Sequence, residues 1–240
     1  SHQVKVNVMD ASELYDPEFR ELIEKQNPTI IIPIGSLEQH GAHLPITTDS
    51  DIVTEIASRL AKNGNFIVFP TISYGISDEH SPLFNTSIAT TTLRTILSNV
   101  INSLLENGVE NFRILNGHHG NVKHLYAFLH RPNVKRACSL WIHSYWCFME
   151  HEFDHAGFVE TSIMLAISDK VKMKKAKKGL ITKGLSEKEI QRIKELSTER
   201  RGFPKVTKNG VWGDPTKATK KDGEKFLAEI VRNLAKECQS

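Results

Sequence analysis

The sequence predicts an α/β protein built on a mostly parallel sheet with helices on both faces. Three observations lead there. Apolar runs of strand length alternate with stretches of helical periodicity. The runs are nearly continuously apolar, as strands buried on both faces require. Clusters of polar residues follow three of the four runs, and open α/β sheets gather their sites beyond the carboxyl ends of their strands.

The first strand is expected at 29–34 (TIIIPI), followed by a helix over 52–63. A second strand at 66–70 (FIVFP) leads to a helix over 92–107. The third, 111–115 (NFRIL), precedes a helix over 122–130, and the fourth, 137–143 (ACSLWIH), precedes one over 157–168. Residues 169–222 are lysine-rich and less periodic, and read as an excursion with one helix at 187–196 before a closing helix over 223–236. No internal repeat or low-complexity linker interrupts the pattern, so residues 3–237 are expected to form one domain.

Composition narrows the class. The chain has 240 residues, 39% of them hydrophobic, and a net charge of +3, which is ordinary for a globular protein. Aromatic residues do not interleave with the lysines, so the basic stretch reads as a solvated surface and no nucleic-acid partner is expected. No apolar stretch is long enough to span a bilayer, so no membrane partner is expected. There is no signal-peptide pattern, and Ser1-His2 reads as a cloning remnant. Cys138, Cys147 and Cys238 are odd in number and unpatterned, which fits a cytoplasmic protein without a disulfide scaffold or a cysteine zinc site.

The chemistry concentrates in residues 35–51, GSLEQHGAHLPITTDSD, directly after the first strand. Glu38, His40, His43, Asp49 and Asp51 crowd into this stretch, and such a density of carboxylates and imidazoles beside a buried strand calls for a divalent cation. An extended or turn backbone sends Glu38 and His40 to one side. Asp49, nine residues after His40, has two oxygens and can bridge two cations. In Asn116-Gly117-His118 the glycine permits a tight turn that aims the imidazole, and Glu160 sits at the start of the helix after the fourth strand. Two ligand sets sharing one carboxylate follow the logic of a two-metal hydrolase. Asp51 reads as an N-terminal helix residue. Trp141, Trp146 and Phe153 read as core or cavity wall.

GSLEQHGAHLPITTD, NGHHGN and HAGFVETS resemble the three motifs of the creatininase family of metal-dependent amidohydrolases. YGISDEHSPLFNTSIAT (74–90) and GVWGDPTKAT (210–219) also look like that family, so the resemblance runs from about residue 10 to residue 235. It implies a three-layer α/β/α fold and two divalent metal ions (zinc, manganese or iron) per subunit of a homo-oligomer, typically a hexamer. By motif match, Glu38 and His118 hold one ion, His40 holds the other, and Asp49 bridges them. The creatininase branch has a ligand Glu where this chain has Gly120, and Glu160 is the nearest replacement. His155 matches the family's proton-transfer histidine. His43, His80, His119 and His151 are expected to bind substrate or orient the ligands.

The resemblance implies hydrolysis of a non-peptide carbon–nitrogen bond, with His155 carrying a proton to the leaving nitrogen. Branches of the family open creatinine, deformylate a formamidopyrimidine ribonucleotide on the way to riboflavin and deazaflavin cofactors, or trim a peptide. Gly120, and His151 where the creatininase branch has a Trp, argue against creatinine. The lysine-rich surface suits a small, phosphate-bearing substrate, so deformylation is the expectation. Creatinine hydrolysis and peptide trimming are the alternatives within the family. A catalytically silent binding protein that keeps the fold is the alternative of another class.

Overall fold

The computed structural model describes residues 10–239. Ser1-His2 and the first residues of the expected 3–237 domain lie outside the described residues.

Among the described residues, six short strands and eight α-helices follow in order: α1 (Asp16–Gln26), β1 (Thr29–Ile34), β2 (Leu37–Glu38), α2 (Thr48–Ala61), β3 (Phe66–Val68), β4 (Asn85–Thr86), α3 (Thr90–Glu106), β5 (Asn111–Asn116), α4 (Val122–His130), β6 (Ser139–Ser144), α5 (Phe158–Ile167), α6 (Glu187–Ser197), α7 (Phe203–Val206) and α8 (Lys220–Gln239). The four runs foreseen as strands form one sheet in the order β3-β1-β5-β6, and every pairing in it is parallel.

The alternation of side chains along each strand makes three layers. Ile30, Ile32 and Ile34 of β1 join Ile67, Phe112 and Ile114 against α3 and α4, with Ile23 of α1. Ile31, Val68 and Leu115 face the other way, onto α2, α5 and α8. Ile30, Ile31 and Ile34 are fully buried, each contributing about 1.5–3 kcal/mol by burial. The fold is therefore a three-layer α/β/α sandwich on a parallel sheet, as expected. Among the described residues, no helix is long and apolar enough to cross a membrane.

The structure departs from expectation in several places. α2 begins at Thr48, so Asp49 lies in its first turn and not in the loop before it. β3 ends at Val68, before Pro70, which has no N–H for a ladder. β6 is an edge strand, and Trp141 is 51% exposed with Arg113 stacked 5.1 Å from its ring, so it belongs neither to the core nor to the cavity wall. α1 was not foreseen: in its charged sequence only Ile23 is buried. The antiparallel pair β2–β4 is too short to show a period.

Candidate metal centre and active site

All three polar clusters meet at the carboxyl edge of the sheet. β1 leads through Gly35 into β2, where the Glu38 N–H donates to the Ile46 carbonyl (3.1 Å) and pairing with Asn85 holds the strand. Asn121 ties three connections together: its Oδ1 accepts from the Ile76 N–H (2.9 Å), and its Nδ2 donates to the Gly35 carbonyl (3.0 Å) and lies 3.3 Å from Asn116 Oδ1. Asn116 Oδ1 also accepts from the His118 N–H at 3.1 Å, which shapes the turn that presents His118. His155 exchanges two backbone hydrogen bonds with Trp212 (3.1 and 2.8 Å), so the distant 210–219 motif sets its place. The Ala156 N–H donates to Glu160 Oε2 at 2.6 Å.

Glu38, His40, Asp49, His118 and Glu160 are all buried and converge. His118 Nδ1 lies 3.0 Å from Asp49 Oδ2 and 3.2 Å from Glu38 Oε1. His40 Nε2 lies 3.0 Å from Asp49 Oδ1 and 3.4 Å from Glu160 Oε2. The two oxygens of Asp49 thus face two separate imidazoles.

The hydrogen bonds behind these rings show what the arrangement accommodates. His118 Nε2 lies 2.8 Å from the Ile76 carbonyl, which can only accept, so the proton sits there and Nδ1 carries a lone pair. His40 Nδ1 lies 3.2 Å from the Glu38 carbonyl, which likewise leaves a lone pair on Nε2. In the neutral rings, two lone pairs therefore face carboxylate oxygens with no proton between them. Neither oxygen of Glu38 nor Oδ2 of Asp49 has an aligned donor. A cation at each pole satisfies all of these atoms, and the donor set of imidazole and carboxylate suits zinc, manganese or iron. Without one, burial opposes charge on both rings, but Asp49 and Glu160 around His40, and Glu38, Asp49 and Glu79 around His118, outweigh it and hold both well above the usual histidine range. Glu38-Asp49-His118 and His40-Asp49-Glu160 are each compact enough to hold an ion. Glu38-Glu79-His80 and Glu38-His40-His155 are also compact enough.

A cavity of about 480 Å³ opens above these poles, reached by Asp49, His118 and Glu160 from below and by His155 at the side. His119 stacks on Trp146 (5.5 Å between centroids) and Trp146 on Phe153 (4.7 Å), giving an aromatic wall. Two expected substrate-binding histidines do not line the cavity. His43 is buried, lies 2.9 Å from Thr161 Oγ1, and is pushed by burial down to about 4. His151 is exposed and packs against Phe158 and Phe226. His80 and His119 do reach the cavity. Burial, together with His40 and His80, holds His155 well below the usual histidine range.

Other residues of the site were not foreseen. Glu79 Oε1 lies 3.3 Å from His118 Nε2, over Gly120. A Cβ at residue 120 would come within 2.4 Å of both Glu79 Oε1 and His118 Nε2. Gly120→Ala is therefore expected to destabilise the fold by about 1–3 kcal/mol, read as a lower midpoint in denaturant; an unchanged midpoint would mean that Glu79 can swing away freely. Desolvation, with Glu160 nearby, raises the carboxyl of half-buried Asp154 to about 8, and its Oδ2 accepts from the Val159 N–H (3.0 Å) in the first turn of α5. Gln191, Lys194, Glu195 and Thr198 line the cavity mouth at helical spacing, so the supposed excursion covers the site. Phe203 packs on His80 and His155, with centroids at 4.5 and 4.8 Å.

Fold and site together define a hydrolase-type metal centre at the carboxyl edge of an α/β/α sandwich. Residues 12–238 match the sequence model of the creatininase family, described as creatinine amidohydrolase. The chain belongs to the creatininase family. It is 33% identical over 222 residues to a mycofactocin precursor peptide peptidase of Mycobacterium ulcerans (strain Agy99), covering 85% of this chain and 82% of that protein. It is 25% identical over 183 residues to a creatinine amidohydrolase of Pseudomonas putida, covering 65% and 70%. A creatininase variant of Zn-Zn type superimposes with a TM-score of 0.79 at 21% identity, over 96% of both chains.

Proposed function

We propose that this chain is a dinuclear metal hydrolase that cleaves a carbon–nitrogen bond in a peptide substrate. The observation that carries the reading is the pair of imidazole lone pairs sharing Asp49 at the floor of the cavity. A volume of about 480 Å³ falls within the range for drug-sized ligands, which suits a peptide segment better than a single small ring. The similarity to a peptide peptidase favours the same class and removes the reason to restrict the reaction to non-peptide bonds. It also leaves the expected deformylation without support. Glu38, Asp49 and His118 would hold one ion, and His40, Asp49 and Glu160 the other.

When bound, the two ions supply a water nucleophile active at neutral pH and polarise the scissile carbonyl. His155, at the cavity wall, takes a proton from the nucleophile and returns it to the leaving nitrogen. Trp146 and Phe153 offer a flat face to an apolar side chain, and Lys194 at the mouth suits a substrate carboxylate. The cysteines are unpaired, in keeping with a reducing cytoplasm.

The test is turnover by zinc- or manganese-loaded protein on short peptides, creatinine, a formamidopyrimidine ribotide and simple formamides, followed by mass spectrometry. Shortened peptides are expected. Turnover confined to formamides or creatinine would overturn the peptide reading. No turnover at all with two ions bound would point to a silent member of the family.

Glu160→Gln should weaken the ion at the His40 pole more than the ion at the His118 pole, because only the first faces Glu160. A two-step metal titration checks this; full occupancy and full activity in the variant would mean that the His40 pole is built without Glu160.

A further inference from the structure

Gln39 sits between two of the residues assigned above as ligands, yet its own side chain turns to two other histidines. Its carboxamide is held by backbone groups whose roles are unambiguous. The Gly41 N–H donates to Oε1 at 3.0 Å, and Nε2 donates to the Gly210 carbonyl at 3.1 Å. An N–H can only donate and a carbonyl can only accept, so the orientation of the amide is determined. One hydrogen on Nε2 remains, and His80 Nδ1 lies 3.0 Å away. His80 Nδ1 must then accept, which places the His80 proton on Nε2, the nitrogen that lies 3.2 Å from Glu38 Oε1 without hydrogen-bond alignment.

His155 is governed by the backbone of the same residue. Its Nε2 lies 3.1 Å from the Gln39 carbonyl and 3.2 Å from Gln39 Nε2. Both amide hydrogens already have acceptors, and the carbonyl can only accept, so His155 carries its proton on Nε2. Its Nδ1 is left with a lone pair, 3.8 Å from Glu38 Oε1. Gly210 makes the arrangement possible: its φ is +73°, and a Cβ there would fall 2.0 Å from Gln39 Oε1.

We propose that Gln39 is a positioning residue that sets the tautomers of both His80 and His155, through its carboxamide and its own backbone carbonyl respectively. His80 thereby keeps its proton on Nε2, the nitrogen facing Glu38 and Glu79, and is not a metal ligand, although Glu38, Glu79 and His80 are close enough to hold an ion. His155 is thereby kept with an open Nδ1, the state a proton acceptor needs. The inference rests on the proposed hydrolytic reading only for its consequence; the tautomers themselves can be read without any substrate.

The experiment is two-bond ¹H–¹⁵N correlation of the histidine rings in zinc-loaded protein, with metal content and steady-state kinetics alongside. In the unsubstituted protein His80 and His155 are both expected as Nε2–H tautomers, and a proton on Nδ1 of either ring overturns the proposal. In Gln39→Glu the side chain can only accept, so His80 is expected to gain an Nδ1 proton, while kcat falls on the order of 10–100-fold, the scale for a residue behind a metal site. Gln39→Met fills the same space without hydrogen bonds. It should release His80 but leave His155 as Nε2–H, because the backbone carbonyl remains. An unchanged His80 tautomer in both variants overturns the role of the carboxamide. Absence of turnover on every amide, with the tautomers as assigned, would count against the hydrolase reading and leave this inference standing.

Discussion

Asp49→Asn is expected to strip both ions from the protein. Each oxygen of this carboxylate lies 3.0 Å from a different imidazole, His40 on one side and His118 on the other. Asparagine keeps the shape and the packing in the first turn of α2, but it replaces one anionic oxygen with an NH₂ group that repels a cation. The remaining oxygen is neutral. Changing a residue that merely supports a ligand lowers metal affinity about 10–100-fold, so losing the shared ligand should exceed 100-fold at each pole. The rate should fall by at least the ~10²–10³ that follows removal of one transition-state donor. Metal analysis after dialysis against buffer, together with activity, reads both effects. Two ions per chain in the variant would show that Asp49 is a bystander and that the centre rests on a different group, such as Glu38, Glu79 and His80.

His155→Ala should keep both ions and lose on the order of 10²–10⁴ in kcat, the scale of a general acid–base group. The ring's nitrogens stand apart from the carboxylates: Nδ1 is 3.8 Å from Glu38 Oε1, while the ring packs at a tilt on His40 with centroids 4.3 Å apart and meets Phe203 at 4.8 Å. Its removal leaves a space at the cavity wall and not a gap in either pole. The loss should be largest for substrates with a poor leaving amine and smaller for activated anilides, whose leaving group needs less help from a proton. Equal losses across that series would assign His155 to structure. Loss of metal together with activity would make it a ligand, through the group it forms with Glu38 and His40.

Several features were legible in the sequence because they depend on local pattern. Uninterrupted β-branched isoleucines at 30–32 in a run of strand length read as a strand buried on both faces, and the structure leaves Ile30 and Ile31 with no exposure. The parallel order then forces the loops after β1, β5 and β6 to one edge, so Glu38, His118 and Glu160 had to come near one another. Asp51 was readable as a helix residue: it lies in the first turn of α2, and its carboxylate accepts from the Thr47 hydroxyl at 2.7 Å. His151 and Trp141 misled for a related reason. Both lie near polar motifs in sequence, but His151 turns to Phe226 of α8 and Trp141 faces outward from an edge strand.

By itself, then, the sequence determined the layered α/β architecture, the edge at which the chemistry collects, and the residue types of a metal centre. These follow from burial periodicity and from short spacings, which act within a few residues of the chain. Only the tertiary structure decided which nitrogen of each imidazole is free, because that depends on carbonyls brought from elsewhere: Ile76 behind His118, Gly210 beyond Gln39. Only the tertiary structure also showed that Glu79 fills the space above Gly120, and that α6, distant in sequence from the ligands, lines the cavity. Proton positions and cavity walls are set by contacts between segments up to 171 residues apart, and no local period carries that information.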